Sequence, residues 1–268
     1  LTAASLEDVK EWFRTYYGPS NAVLSIAGDV KPEDILARVK KYFGDIPPGP
    51  TLIKPEVNVA KRNEDTRGYY EDHVPEARIT MEWNVPQWGS KEAVLLDLAT
   101  DILSSGKTSR LYKKLVYEDQ TASSAYAYLD QREISSNFVV EASVKPGKTA
   151  EEVEATMNAV LKEFLEKGPT QEELDRVRSN YFSNFLKGIE RIGGFGGKSD
   201  ILATNEVYGG SPDYYKTTLK YVSEATVADI QKACREWLSA GKYVLVCKPV
   251  PELKAEGEGV DRSKLPEL

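Results

Sequence analysis

The two ends of this chain carry one pattern, and no other feature limits its possible folds as much. When residues 6–26 are set above residues 227–247 without a gap, Asp8 meets Asp229, Val9 meets Ile230, Arg14 meets Arg235, Val23 meets Val244 and Leu24 meets Leu245. Each stretch reads as a Ser/Thr-capped helix that runs through a short turn into an apolar strand. Self-similarity at an interval the size of a large domain marks a unit built twice. Residues 1–46 are therefore expected to be the tail of a first copy, helix–strand–helix, whose body lies upstream. A complete second copy is expected over residues 67–250.

The intervening residues 47–66 hold Pro47, Pro48, Pro50 and Pro55 with little periodicity and read as a linker. Within the first segment, Ser5 with Asp8 starts a helix, 22–27 is a short apolar strand, and Pro32 opens a helix that ends at Phe43. The second unit begins with strands at 68–73 and 77–85, where Ile79, Met81 and Trp83 alternate with polar residues. A Ser90-capped helix through Leu103, a helix over 109–118, and strands at 122–129 and 137–144 follow. Thr149 with Glu152 and Thr170 with Glu173 form capping boxes that start a helical hairpin, 151–167 and 171–192, turning at Gly168-Pro169. Helices at 198–207, 212–222 and 227–238 and a strand at 242–247 complete the unit. Residues 251–268, rich in Pro, Glu, Gly and Lys, read as a second linker. Pairs of strands alternating with pairs of helices predict an α+β fold: a two-layer antiparallel or mixed sheet with its helices on one face.

Composition excludes several functions. No apolar run reaches the roughly 18 residues of a membrane-spanning helix. The net charge is −7, with Lys and Arg interleaved among Asp and Glu. A nucleic-acid partner would demand clustered cations, so none is expected. Cys234 and Cys247 are the only cysteines; they read as buried packing groups, with a disulfide as the alternative. His73 is the single histidine, so neither H-E-x-x-H nor H-x-x-E-H can be written, and no metal ligand is expected here.

The candidate site residues each carry two readings. Arg110, after a glycine-containing turn, could pair with a substrate carboxylate or carbonyl, or tie its helix to a neighbouring acid. Tyr126 and Tyr128 share one face of a strand and could line a peptide groove, or form a half-buried surface under helices. Gly193, Gly194, Gly196 and Gly197 surround Phe195 between two helices. A phosphate cradle would want a strand before it, so a hinge or close-packing turn is the better reading. Glu151, Glu152, Glu172 and Glu173 sit in first helical turns, where the helix dipole favours them without any catalytic role.

Certain segments resemble the pitrilysin and insulin-degrading-enzyme family of zinc peptidases, which includes the mitochondrial processing peptidase. Leu1-Thr2, Leu6, Phe13, Tyr16-Tyr17-Gly18-Pro19-Ser20-Asn21, Ile26-Ala27-Gly28-Asp29-Val30, Val39 and Tyr42-Phe43-Gly44-Asp45-Ile46-Pro47 are similar to the end of the family's first domain. Leu103-Ser104-Ser105-Gly106, Ser109-Arg110-Leu111-Tyr112 and Leu115 resemble the helix-turn-helix early in its second domain. Gly168, Thr170, Glu173-Leu174 and Arg178 resemble that domain's later hairpin.

The resemblance implies a zinc metalloendopeptidase whose H-x-x-E-H and downstream glutamate lie in an upstream homologous domain, in the same chain or in a separate subunit. This chain would then be the non-catalytic second domain, itself without a cofactor, closing a chamber and binding peptide substrate for the zinc-bearing partner. A homodimer and a periplasmic or secreted bacterial location are compatible with it. In several active members the second domain sends an arginine and then a tyrosine toward the scissile carbonyl. Here those positions hold Val116 and Ser123, so direct help to the transition state is not expected. The alternative is a scaffold or assembly subunit that keeps the peptidase fold without proteolysis.

Overall fold

The computed structural model describes residues 4–250. Its second strand, β2 (Arg78–Val85), alternates buried and half-buried residues, with Ile79, Met81, Trp83 and Val85 facing inward. That period of two fixes one apolar face and makes a single-sided sheet. Four further strands join it: β1 (Thr66–Asp72), β3 (Ala122–Asp130), β4 (Ser136–Val144) and β5 (Tyr243–Pro249). The order across the sheet is β1-β5-β2-β4-β3. Only β1 and β5 run parallel, with Thr66 opposite Tyr243, and the other neighbours are antiparallel. The expected mixed sheet is thus present, and its last strand in sequence is inserted between the first two.

One face of the sheet is covered by helices. The central one is α3 (Lys91–Ser104), whose buried residues run around most of its circumference, from Ala93 through Leu103. A helix apolar on nearly all sides must be enclosed. It packs on β3 and is flanked by α5 (Gln171–Glu190), α7 (Tyr215–Glu224) and α8 (Val227–Leu238). Helix α4 (Ala150–Lys167) lies against β2, β4 and α8, and α6 (Lys198–Gly209) packs on α5. The capping boxes at Thr149/Glu152 and Thr170/Glu173 form as expected, and Gly168 turns the α4–α5 hairpin at φ +73°. None of the described helices is long and apolar enough to cross a membrane.

The first segment forms α1 (Leu6–Tyr16), a short 3-10 turn at Pro19–Asn21, and α2 (Pro32–Phe43). The capping box of α1, Ser5 with Asp8, recurs in α8 as Thr226 with Asp229, at equivalent places in the two aligned stretches. Neither α1 nor α2 buries a single residue: Trp12, Phe13 and Phe43 are all more than half exposed.

Two expectations need correction. Residues 22–27 are not a strand; the apolar stretch has no neighbouring strand among the described residues on which to form a ladder. The predicted helix over 109–118 is instead a π-helix at Tyr112–Glu118, where the Asp119 N–H reaches Lys114 O. Residues of the expected linker also touch the second unit. Arg62 bridges to Gly241, and the Asn84 amide donates to Ala60 O at 2.7 Å. Both cysteines are buried and free, and burial pushes the Cys234 thiol up to about 12. Residues 251–268, expected to be a linker, lie outside the described residues.

Candidate functional site

The face of the sheet opposite the helices holds two of the candidate residues, Tyr126 and Tyr128. Along β3 the alternation of small buried and large exposed residues puts Ala125 and Ala127 inward and Tyr126 and Tyr128 outward, at 56% and 46% exposure. Both tyrosines therefore share the helix-free face, and β3 is an edge strand. Register then names their neighbours. Tyr126 lies opposite Glu141, which lies opposite Thr80 and then Leu245; Tyr128 lies opposite Val139, then Glu82, then Tyr243. The result is a shallow surface of phenol rings and aliphatic groups set with carboxylates.

These carboxylates are loosely held. Arg78 Nε stands 3.5 Å from Glu141, and the Asn137 amide donates to Glu82 at 3.4 Å. Burial, reinforced by the charges of Glu141, Glu82 and Asp130, raises the Tyr128 phenol above its ordinary value of 10.0, so it stays a neutral donor. At the far side the Tyr243 ring lies across Gly68, its hydroxyl over the Cα. Such a surface can hold an extended peptide by apolar contact and hydrogen bonds; it has no nucleophile paired with a base.

Arg110 is elsewhere. Its Nε and Nη2 donate to the two oxygens of Glu173, each at 2.7 Å, and Nη2 also reaches Gly168 O at 3.0 Å. The guanidinium lies 5.0 Å from the centroid of the Phe164 ring. Of its two readings the structure realises the tie, locking the π-helix to the α4–α5 turn. Val116 packs against the core and Ser123 hydrogen-bonds Glu76 at the irregular start of β3. Neither supplies a cation or phenol. The glycine loop joins α5 to α6. Gly194 and Gly196 take positive φ, and a Cβ on Gly197 would meet Gly193 O at 2.5 Å. A helix, not a strand, precedes it, and Phe195 at its tip is 94% exposed.

Sequence reasoning missed Glu82 and Glu141, whose signal was their place at polar positions of otherwise apolar strands. It also missed Asp97, the one acid inside the apolar run Val94-Leu95-Leu96-Asp97-Leu98 of α3. No group of three or more His, Cys, Asp or Glu among the described residues could hold a metal ion. A zinc site needs three or four such ligands converging, so these residues do not fit one.

Residues 3–181 match the family described as the Peptidase M16 inactive domain. The chain is 28% identical over 242 residues to Zinc protease PqqE of Helicobacter pylori, covering 87% of this chain and 52% of that protein. It is 24% identical over 233 residues to Non-peptidase homolog YmxG of the same species, covering 84% and 51%. The chain thus spans about half the length of the curated relatives it matches. A solved protease from Helicobacter pylori has the same fold, with a TM-score of 0.83 at 23% identity over 92% of this chain and 60% of that one. The chain belongs to the M16 inactive-domain family.

Proposed function

We propose that this M16 inactive domain serves a zinc peptidase as its non-catalytic half, presenting peptide to a homologous zinc-bearing domain and closing the chamber around it. The observation that carries this reading is the helix–turn–helix segment at the start, whose amphipathic helices bury nothing. Trp12 and Phe13 of α1 and Leu36 and Phe43 of α2 are each more than half exposed, apolar surface that a larger body would cover. Residues 1–46 are then the tail of that upstream domain, 47–66 the linker and 67–250 the second domain. On this reading the helix-free face of the sheet faces the chamber, and Tyr126 and Tyr128 touch the peptide. Arg110 holds the domain together, and the glycine loop is a close-packing turn. Zinc would be bound upstream, and a periplasmic or secreted bacterial location belongs to the same proposal.

The test is the zinc content of this chain and of the longer protein that contains it, measured side by side by elemental mass spectrometry. About one zinc in the longer protein and none in this chain is the expected result. Stoichiometric zinc and peptide turnover by this chain alone would overturn it. The similarity to a relative named a non-peptidase homolog supports a second reading, an assembly scaffold, which zinc in neither sample would select.

A further inference from the structure

Behind the sheet, α3, α5, α6 and α7 line a partly open cavity of about 250 Å³. Asp97 of α3 lines it. Among the described residues nothing donates to that half-buried carboxylate, and the charge that acts on it is another acid, Asp101. Arg176 acts on Asp101 and donates to Ser105 O. Asn205 of α6 stands in the same wall, 6% exposed, with its Nδ2 given to Ile201 O at 2.7 Å and its Oδ1 without a partner. Asp200 also lines the cavity, and no Lys, Arg or His does. A buried acceptor left unsatisfied, as Asn205 Oδ1 is, is costly and rare.

The remaining wall is aromatic. Tyr181 and Phe185 of α5 and Tyr215 of α7 border the space, with Phe185 and Tyr215 stacked at 5.7 Å between centroids. Trp88 stands at the mouth, and with Gln131 and Thr204 it also borders a more open depression of about 480 Å³ that leads outward.

These features discriminate among ligands. Two carboxylates reject an anion. An apolar guest would leave Asp97 and Asn205 unsatisfied. A hard divalent cation needs six or more oxygens, and no such acidic group is gathered among the described residues. An organic cation satisfies both halves of the wall, because it donates to the carboxylate and is attracted to ring faces. The volume, below the usual range for small-molecule sites, admits one such group rather than a large molecule.

We infer that this cavity binds a single organic cation, an alkylammonium or guanidinium group, held by Asp97 and Asn205 against Tyr181, Phe185 and Tyr215. The site lies among the helices, away from the open sheet face, so it does not depend on the function proposed above. Two sources share this chemistry, a free small amine and a Lys or Arg side chain of another polypeptide.

The test titrates the chain with n-butylammonium, N-methylguanidinium and the blocked peptide acetyl-Ala-Lys-Ala-amide, following the Asn205 and Gln131 side-chain amide resonances by NMR. Saturable shifts with either small cation are expected, and sodium acetate should cause none. Asp97→Asn should weaken binding about tenfold or more, whereas Asp213→Asn, on the surface, should leave it unchanged. If the peptide binds as tightly as butylammonium, the cation is a side chain; if only the small cations bind, it is a free amine. Absence of saturable shifts in the unsubstituted chain would overturn the inference, with no variant needed to fold. Shifts of equal affinity in folded Asp97→Asn would overturn it as well.

Discussion

Arg110 offers the sharpest test of whether a candidate substrate-binding residue is instead structural. Replacing it with Ala removes two 2.7 Å hydrogen bonds to Glu173, one to Gly168 O, and contact with the Phe164 ring. Both side chains keep about a fifth of their surface exposed. The loss should therefore fall short of the 3–5 kcal/mol typical of breaking a fully buried pair, at about 2–3 kcal/mol. Burial opposes ionisation of Glu173, yet the Arg110 hydrogen bonds, with those from Thr170, outweigh it and hold the carboxyl below its ordinary 4.5. A carboxylate with a lowered pKa adds stability that is full above the unfolded value and lost as pH falls through the folded one. The unsubstituted chain should then lose stability below pH 4.5 more steeply than Arg110→Ala. Urea unfolding of Arg110→Ala, Glu173→Ala and the double variant at pH 7 should give a coupling of about 1–2 kcal/mol. A coupling near zero, or a peptide-binding defect without a stability defect, would refute the reasoning and return Arg110 to the substrate.

Other consequences are open to measurement. Gln120, at φ +51°, is the only described non-glycine residue with positive φ; Gln120→Gly should stabilise the chain by about 0.5–1 kcal/mol in urea. Burial, helped by Asp101, pushes Asp97 up to about 7. A raised carboxyl pKa makes stability fall as pH rises from about 4 to 7. The chain should lose about 2–3 kcal/mol between pH 5 and 8 by denaturant titration, and Asp97→Asn should flatten that slope. The double substitution Tyr126→Ala and Tyr128→Ala should cost under about 1 kcal/mol, because both rings are half exposed. Fluorescence anisotropy should meanwhile show several-fold weaker binding of an unfolded peptide.

The layer arrangement was legible because its signals are local. Alternation on β2, the Thr-x-x-Glu boxes at Thr149 and Thr170, and the Gly168-Pro169 turn each depend on neighbours within a few residues. What escaped depends on partners far away. Residues 22–27 have strand composition but no described ladder to join, and periodicity cannot report an absent neighbour. The π-helix at Tyr112–Glu118 differs from an α-helix by one residue in its hydrogen bonds, a shift that apolar spacing over two turns does not resolve. In the candidate site, Tyr126 and Tyr128 could be placed on one face from period two alone. Their acidic neighbours Glu141 and Glu82 required the strand order, and the acceptor of Arg110 required the fold of the hairpin. Asp97 stood out only as a charge in an apolar run, and its cavity is built by four helices.

The position of β5 sets the order in which this domain can come into being. Asp65 at the entry to β1 is tied to Lys242 at the entry to β5, 177 residues later, and β5 separates β1 from β2. During synthesis β1 has no partner, and β2 presents a bare edge, until almost the whole domain has left the ribosome. Such long-range pairing slows folding and leaves strand edges exposed to other chains. A stop codon a few residues before Tyr243 would thus do more than trim a terminus: it would remove a middle plank of the sheet and leave β1 with nothing to join.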